Sequence, residues 1–272
     1  MTRIAVLQMT AGIDPAINAV TIAEAGEEAA KRGAQILFTP EMSGFLDRDR
    51  ARAALTIRTP DKDAVLAATR EAARQSGLWV ALGSLAVRHE QSGWANRSFL
   101  IRPDGEVAAH YDKLHMFDVD LAGGESWRES SAYRAGDRAV TASDTPVGRL
   151  GLAICYDLRF PALFSALGGA ACDTIAVPSA FTVPTGRAHW HVMLRARAIE
   201  ASAFIVAAAQ VGLHEDGRRT YGHSLVVDPW GEVLLDMGGE GPGLGFADID
   251  LAQIAEVRAQ LPSLANRREI AT

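Results

Sequence analysis

Apolar positions along the chain fall into short runs separated by segments of helical period, and the two kinds of segment alternate. Ile4 to Gln8 reads as a strand. Asp14-Pro15 then supplies a cap and a proline at a helix start, with Gly33 as its stop. Gln35 to Phe38 is the next strand, and Thr59-Pro60-Asp61 opens a second helix closed by Gly77. Leu78 to Val87 is a long apolar strand, and Ser98–Arg102 and Glu106–Tyr111 form a hairpin across Pro103-Asp104-Gly105.

After a long polar segment, Asp112 to Arg138, the pattern repeats. Leu150 to Ile154 is a strand, Pro161 to Leu167 a helix, Thr174 to Val177 a strand, Arg187 to Ser202 a helix and Phe204 to Gln210 a strand. A second hairpin, Ser224–Val227 and Glu232–Leu235, turns across Asp228 to Gly231 and shares a Gly-Glu-Val ending with the first. This predicts two similar halves, each a sheet with helices on one face. Such sheets must bury their other face, and stacking them does so for both. The expected fold is therefore α/β, a four-layer α-β-β-α sandwich. The same tally of elements also fits a doubly wound parallel sheet. No linker-like stretch divides residues 1–272, so one domain is expected. Polar segments as long as Asp112–Arg138 are often lids or site loops.

Composition narrows the partners. The hydrophobic fraction of 48% supports a sizeable core. The net charge is −6 and the 27 basic residues are scattered, which argues against a nucleic-acid partner. No apolar run approaches the ~20 residues of a membrane span. The start, Met1-Thr-Arg-Ile-Ala-Val6, enters a strand pattern directly, leaving no room for a signal peptide. Cys155 and Cys172 are able to pair on parity alone, but a cytoplasmic protein with reduced thiols is the more economical expectation.

Cys155 ends an apolar strand and precedes a helical stretch, so the positive end of a helix is expected to favour its thiolate. Glu41 ends another strand and Lys113 follows the first hairpin. A carboxylate base, a cation and a thiol are the parts that acyl transfer requires.

At these residues the chain resembles the nitrilase (carbon–nitrogen hydrolase) superfamily, whose triad runs Glu, Lys, Cys in chain order. The likeness lies in Phe38-Thr-Pro-Glu41, Tyr111-Asp-Lys113-Leu-His-Met-Phe-Asp118 and Gly151-Leu-Ala-Ile-Cys155-Tyr-Asp157-Leu-Arg159-Phe-Pro161. It continues through Pro178-Ser-Ala-Phe181, Gly186-Arg-Ala-His-Trp190, Arg195 to Glu200, Tyr221-Gly-His-Ser224 and Val227 to Glu232, nearly the whole chain. Within the superfamily it is most similar to the Nit branch, the amidases of deaminated glutathione and of keto-acid amides. Tyr156-Asp157 stands where true nitrilases commonly carry Trp-Glu, which favours amides over nitriles.

The resemblance implies the sandwich fold, a homodimer and a small-molecule amide substrate, with Cys155 as nucleophile, Glu41 as proton carrier, and Lys113 with the Tyr156 backbone N–H holding the oxyanion. It also implies a second glutamate upstream of Gly136. Glu129 fits that spacing better than Glu125. Deaminated glutathione or a similar acidic amide is the expected substrate, with an omega-amidase of 2-oxoglutaramate-like acids as the alternative. A non-catalytic binding protein on the same fold is the reading from another class. Arg159 is placed either to clamp a substrate carboxylate or to pair with Asp157 or neighbouring carbonyls. Phe181 and His189 are candidate pocket residues, and Trp94, Trp190 and Trp230 read as packing residues. No cofactor is expected. His189-Trp190-His191 has no third ligand cluster near it, so no metal is expected either. Residues Arg187–Ser202 and the tail from Leu261 are the candidate dimer interface, because Val192, Met193, Ala196, Ala198 and Ile199 spread apolar surface round the helix.

Overall fold

A computed structural model of the chain describes residues 1–121, 124 and 126–268. The first half runs β1 (Thr2–Gln8), α1 (Pro15–Lys31), β2 (Ile36–Phe38), α2 (Arg50–Thr56), α3 (Ala64–Ser76), β3 (Trp79–Arg88), β4 (Trp94–Ile101) and β5 (Val107–Asp112). A small ribbon, β6 (Asp118–Asp120) with β7 (Ser126–Arg128), lies within the long polar segment. The second half runs β8 (Val140–Thr145), β9 (Gly148–Leu152), α4 (Pro161–Gly169), β10 (Thr174–Ala176), α5 (Val183–Ala201) and β11 (Phe204–Ala207). It continues through the ribbon β12 (Val211–Leu213) and β13 (Arg219–Tyr221) to β14 (Leu225–Val227) and β15 (Val233–Asp236). β16 (Gly243–Ile249) and α6 (Leu251–Gln260) end the described elements.

Two six-stranded sheets form, ordered β16-β1-β2-β3-β4-β5 and β15-β14-β11-β10-β9-β8. In each, three strands are parallel (β1, β2, β3; β9, β10, β11) and an antiparallel hairpin extends them. The two halves are therefore alike, as their shared pattern predicts. The doubly wound single sheet is excluded.

Strand alternation sets the layers. Ile4, Val6, Ile36 and Phe38 share one core with Leu150, Leu152 and Ala176 of the other sheet. Their neighbours Ala5, Leu7 and Leu37 point the opposite way, onto Ile22 and Ala25 of α1 and Val65 and Leu66 of α3. Leu163 and Phe164 of α4 and Trp190 and Leu194 of α5 cover the far side of the second sheet. The result is the α-β-β-α sandwich.

Local chemistry moves some helix starts. Pro60–Lys62 makes only a single 3-10 turn. Asp63 is the true cap of α3, accepting from Leu66 N at 2.8 Å, and Gly77 ends the helix with φ +69°. α5 begins at Val183, four residues before Arg187, because Pro184 suits its first turn. α2, capped by Asp49, lies where no helix was expected. Among the described residues, no helix is long and apolar enough to cross a membrane.

Candidate active site

The parallel strands of both sheets end on one side of the sandwich, and the candidate residues follow those ends. Glu41 comes just after β2, Cys155 just after β9 and Lys113 directly after β5. Extra bonds tie the two sheets together there. Val211 N donates to Met9 O at 2.9 Å, and Gln210 Nε2 donates to the Glu41 carbonyl at 2.9 Å while its Oε1 accepts from Ala11 N. Gly83 lets the Glu41 loop lie against β3, since a Cβ there would stand 2.1 Å from Thr39 O. Gly136 does the same beside Lys113: its N–H donates to Lys113 O at 2.9 Å, and a Cβ would lie 2.3 Å from Asp112 O.

Lys113 Nζ, only 2% exposed, donates to Glu41 Oε1 at 2.9 Å and to Glu129 Oε2 at 2.9 Å and Oε1 at 3.2 Å. Glu41 Oε2 accepts from Ala180 N at 2.9 Å, and Glu129 Oε2 from Phe117 N at 2.7 Å. Glu129 thus stands where its spacing to Gly136 implies, while Glu125 lies outside the described residues. Asn96 of β4 donates its amide to both carboxylates, at 2.9 Å and 3.1 Å. It was missed in the sequence. The signal was a polar residue at a buried position of an otherwise apolar strand.

Cys155 has φ +47°, and Met42, beside Glu41, has φ +55°. Such left-handed backbone costs a non-glycine residue of order 1–3 kcal/mol and is found where surroundings hold it for function. The Cys155 N–H donates to Pro178 O at 2.9 Å. Residues Cys155–Arg159 form a 3-10 turn, and α4 starts only at Pro161, so the thiol does not cap a long helix.

This changes the expected ionisation. Burial pushes the Cys155 thiol well up, and the adjacent Glu41 charge pushes it further, outweighing Lys113. Burial alone would raise Glu41 too, but the Lys113 charge and hydrogen bonds from Cys155, Lys113 and Asn96 hold it below the usual carboxylate range. Burial would lower Lys113, yet Glu129 and Glu41 hold it well above the ordinary lysine value. Burial and Glu41 thus favour a neutral thiol over the expected thiolate, beside a carboxylate and an ammonium that are each held toward their charged forms. Cys172 is a separate buried free thiol, pushed up to about 12 by burial.

These groups line a cavity of about 510 Å³ with Phe117, Trp127, Tyr156, Arg159 and Phe181. Trp190 is fully buried, and Trp94, though it also lines the cavity, packs edge-on against Tyr133 at 5.5 Å, so both are packing residues as expected, whereas Trp230 is half exposed. Arg159 does not pair with Asp157. That carboxylate accepts from Tyr111 Oη at 2.7 Å, His115 N at 3.0 Å and Ile154 N at 2.9 Å. Arg159 instead lies 5.5 Å from the Phe181 ring centroid and 5.9 Å from that of Tyr156, within 3.3 Å of His189 Nδ1. His189 is exposed and outside the cavity lining, touching it only through Arg159. At the rim, Arg48 and Arg218 lie 5.5 and 5.0 Å from the Trp127 centroid.

A family model described as carbon–nitrogen hydrolase matches residues 3–259. The chain belongs to the carbon–nitrogen hydrolase family. It is 41% identical over 269 residues to the deaminated glutathione amidase of Homo sapiens, covering 97% of this chain and 82% of that protein. It superposes on the crystal structure of the NitFhit protein of C. elegans with a TM-score of 0.90 and 37% identity, covering 98% of this chain and 65% of that one. An amidase from Nesterenkonia sp. AN1, solved with acrylamide added at its active-site cysteine, superposes with a TM-score of 0.79 at 27% identity over 96% of this chain and 98% of that one. This carbon–nitrogen hydrolase is accordingly an enzyme acting on non-peptide carbon–nitrogen bonds, an amidase.

The ionisation pattern sets a pH dependence. A Glu41 that accepts protons must be ionised, so activity holds above its lowered value and falls as pH drops through it. The acid limb of kcat/KM is expected below pH 4.5, the ordinary carboxyl value, and Glu41→Gln is expected to lose ~10²–10⁴-fold at all pH. A pH–rate profile checks both. An acid limb above pH 4.5, or a Glu41→Gln variant within a few-fold of wild type, would contradict the assignment.

Proposed function

We propose that this amidase hydrolyses an acidic amide, deaminated glutathione or a close analogue, through a thioester on Cys155. The observation that carries the chemistry is the buried Glu41–Lys113 pair at 2.9 Å with the neutral Cys155 thiol facing the same carboxylate. Glu41 takes the thiol proton as Sγ attacks the carbonyl carbon. The developing oxyanion meets the Lys113 ammonium and the Tyr156 N–H, which belongs to the first turn after Cys155 and so is free of helical pairing. If one Lys113 proton is shared by the two Glu129 oxygens and one goes to Glu41, the third is free for the oxyanion. The C–N bond breaks as Glu41 returns the proton to the leaving amine. Water, deprotonated by Glu41, then cleaves the thioester and regenerates the thiol. Glu129 and Asn96 position the lysine.

The substrate reading rests on charge. Deaminated glutathione carries a carboxylate on the acyl side of its scissile amide and another at the glycine end of its leaving group. Arg159 lies near Cys155, with no carboxylate partner within 4.0 Å among the described residues, and Arg48 is exposed at the rim. The name of the human relative agrees with this reading. A 2-oxoglutaramate-like acid offers only the acyl-side carboxylate and leaves Arg48 without a role, whereas Arg218 is already paired with Asp216. The cavity is of the size that ordinarily holds a ligand of this kind.

The deciding experiment compares kcat/KM for deaminated glutathione, 2-oxoglutaramate and a neutral aliphatic amide, with mass spectrometry of quenched reactions. Highest efficiency on the first and an acyl adduct on Cys155, absent in an inactive Cys155→Ala, are expected. An adduct on Cys172 or an active Cys155→Ala would refute the mechanism, and a preference for 2-oxoglutaramate would refute the substrate.

Arg159→Lys keeps charge but loses the planar fork. It is expected to lower kcat/KM for acidic amides at least tenfold more than for neutral ones. Equal losses on both, with a lower Tm, would make Arg159 structural.

Val192 and Ile199 on the outer face of α5 are 63% and 43% exposed, and Gly231 beside the exposed Trp230 packs against Ile199. Large apolar side chains exposed on one helix face suit an interface, and we propose that a homodimer forms through this face. Light scattering at micromolar concentration is expected to give twice the chain mass. A monomer mass refutes the pairing.

A further inference from the structure

One cluster lies apart from this chemistry. The expectation that His191 has no ligand partners holds only along the chain. A helix rotates roughly 100° per residue, so His189 and His191 face different ways. His189 meets Arg159, and His191 meets two residues far on in sequence. His191 Nε2 lies 3.0 Å from Asp236 Oδ2, and His223 Nδ1 lies 2.9 Å from Oδ1 and 3.2 Å from Oδ2 of the same carboxylate. The three ligand atoms fall within 4.8 Å of one another.

The cluster is held from outside. Tyr221 stacks on the His223 ring at 4.4 Å. His223 sits at φ +54°, a conformation non-glycine residues rarely adopt. Bonds on both sides fix it there: its N–H donates to Gly238 O at 2.8 Å, and its carbonyl accepts from Trp190 Nε1 at 2.8 Å. Asp236 Oδ1 accepts from Gly238 N at 2.9 Å, which orients the carboxylate. Burial alone would raise Asp236, but bonds from His191, Gly238 and His223 keep it below its ordinary value, so it is an anion at neutral pH.

We propose that His191, His223 and Asp236 form a binding site for one divalent transition-metal ion of the zinc class, with water in the fourth position. Two imidazoles and a carboxylate suit such ions rather than calcium or magnesium. Tetrahedral zinc ligands stand roughly 3.4 Å apart at bond lengths of about 2.0–2.1 Å, a spacing that lies between the 2.9 Å of the closest pair here and the 4.8 Å that bounds all three atoms. Each neutral ring then carries its proton on the nitrogen facing away from the ion. None of the three residues lines the catalytic cavity. The ion would clamp α5 to β15 and to the corner before β14. That corner reaches the cavity wall, since Tyr221 N donates to Phe181 O at 2.9 Å. Its effect is therefore on rigidity, not on bond cleavage.

Calorimetric titration of chelator-treated protein with zinc sulfate, alongside cobalt(II) absorption spectra, tests this. One ion per chain is expected, with affinity at least tenfold weaker in His191→Ala and Asp236→Asn. Zinc should raise Tm in wild type only, and amidase activity without metal should be unchanged in the variants. Asp236→Asn keeps the size and a hydrogen-bonding side chain, so it carries the test if His191→Ala fails to fold. No saturable binding, half an ion per chain, or binding that survives both substitutions would overturn the site. An intense near-ultraviolet cobalt–thiolate band, placing the ion on Cys155 or Cys172, would overturn it as well.

Discussion

The fold turns on one buried ammonium. Lys113 lies at the end of β5 with almost no contact with water, and a lone charge there would cost several kcal/mol. It is tolerated because two carboxylates from separate parts of the chain reach it, Glu41 behind β2 and Glu129 from the segment between the halves. Each carboxylate leans in turn on other groups: Asn96 on both, the Ala180 amide from the second sheet on Glu41, and the Phe117 amide on Glu129. Removing one member of such a cluster leaves the others uncompensated, roughly 3–5 kcal/mol for a buried pair. The cluster therefore binds the sheets and the long loop into one arrangement, and the site exists only when both sheets are stacked.

The same cluster divides labour. Because both carboxylates claim the ammonium, its charge is largely answered before the thiol feels it. Burial and the Glu41 charge favour the protonated form of Cys155, so in the proposed mechanism the thiol relies on Glu41 at the moment of attack. A protonated thiol is a poor nucleophile and a poor target for oxidants and electrophiles, so reactivity is confined to occasions when a substrate carbonyl is in place.

Much of this was legible in the residues. Strand ends carrying Glu41 and Cys155, and a hairpin end carrying Lys113, could be read from apolar runs and turn signals, and so could the likeness of the two halves. What the chain order hid was contact across elements. Asn96 joins the site because β4 pairs between β3 and β5, a register no local pattern states. Arg48 and Arg218 reach the rim from loops of opposite halves. Asp157 sits two residues from Arg159 and looks like its partner, but the turn points it inward to Tyr111 and His115. The thiolate expectation is disfavoured for a physical reason: a five-residue 3-10 turn carries little dipole, while burial and the Glu41 charge both push the thiol up. His191 met its partners only through the packing of α5 on the second sheet.

The order of strands has a consequence for how the chain is made. The first sheet is closed at one edge by β16, whose seven residues pair with all of β1. In chain order β1 precedes every other strand of its sheet and β16 follows them all. Until β16 emerges, one flank of the first sheet must therefore carry an unpaired, apolar edge, the kind of template that recruits other chains. The second sheet has no such delay, because its edge strand β8 immediately precedes β9. The half that emerges first is thus the half that finishes last. Its vulnerable period ends only when β16 arrives.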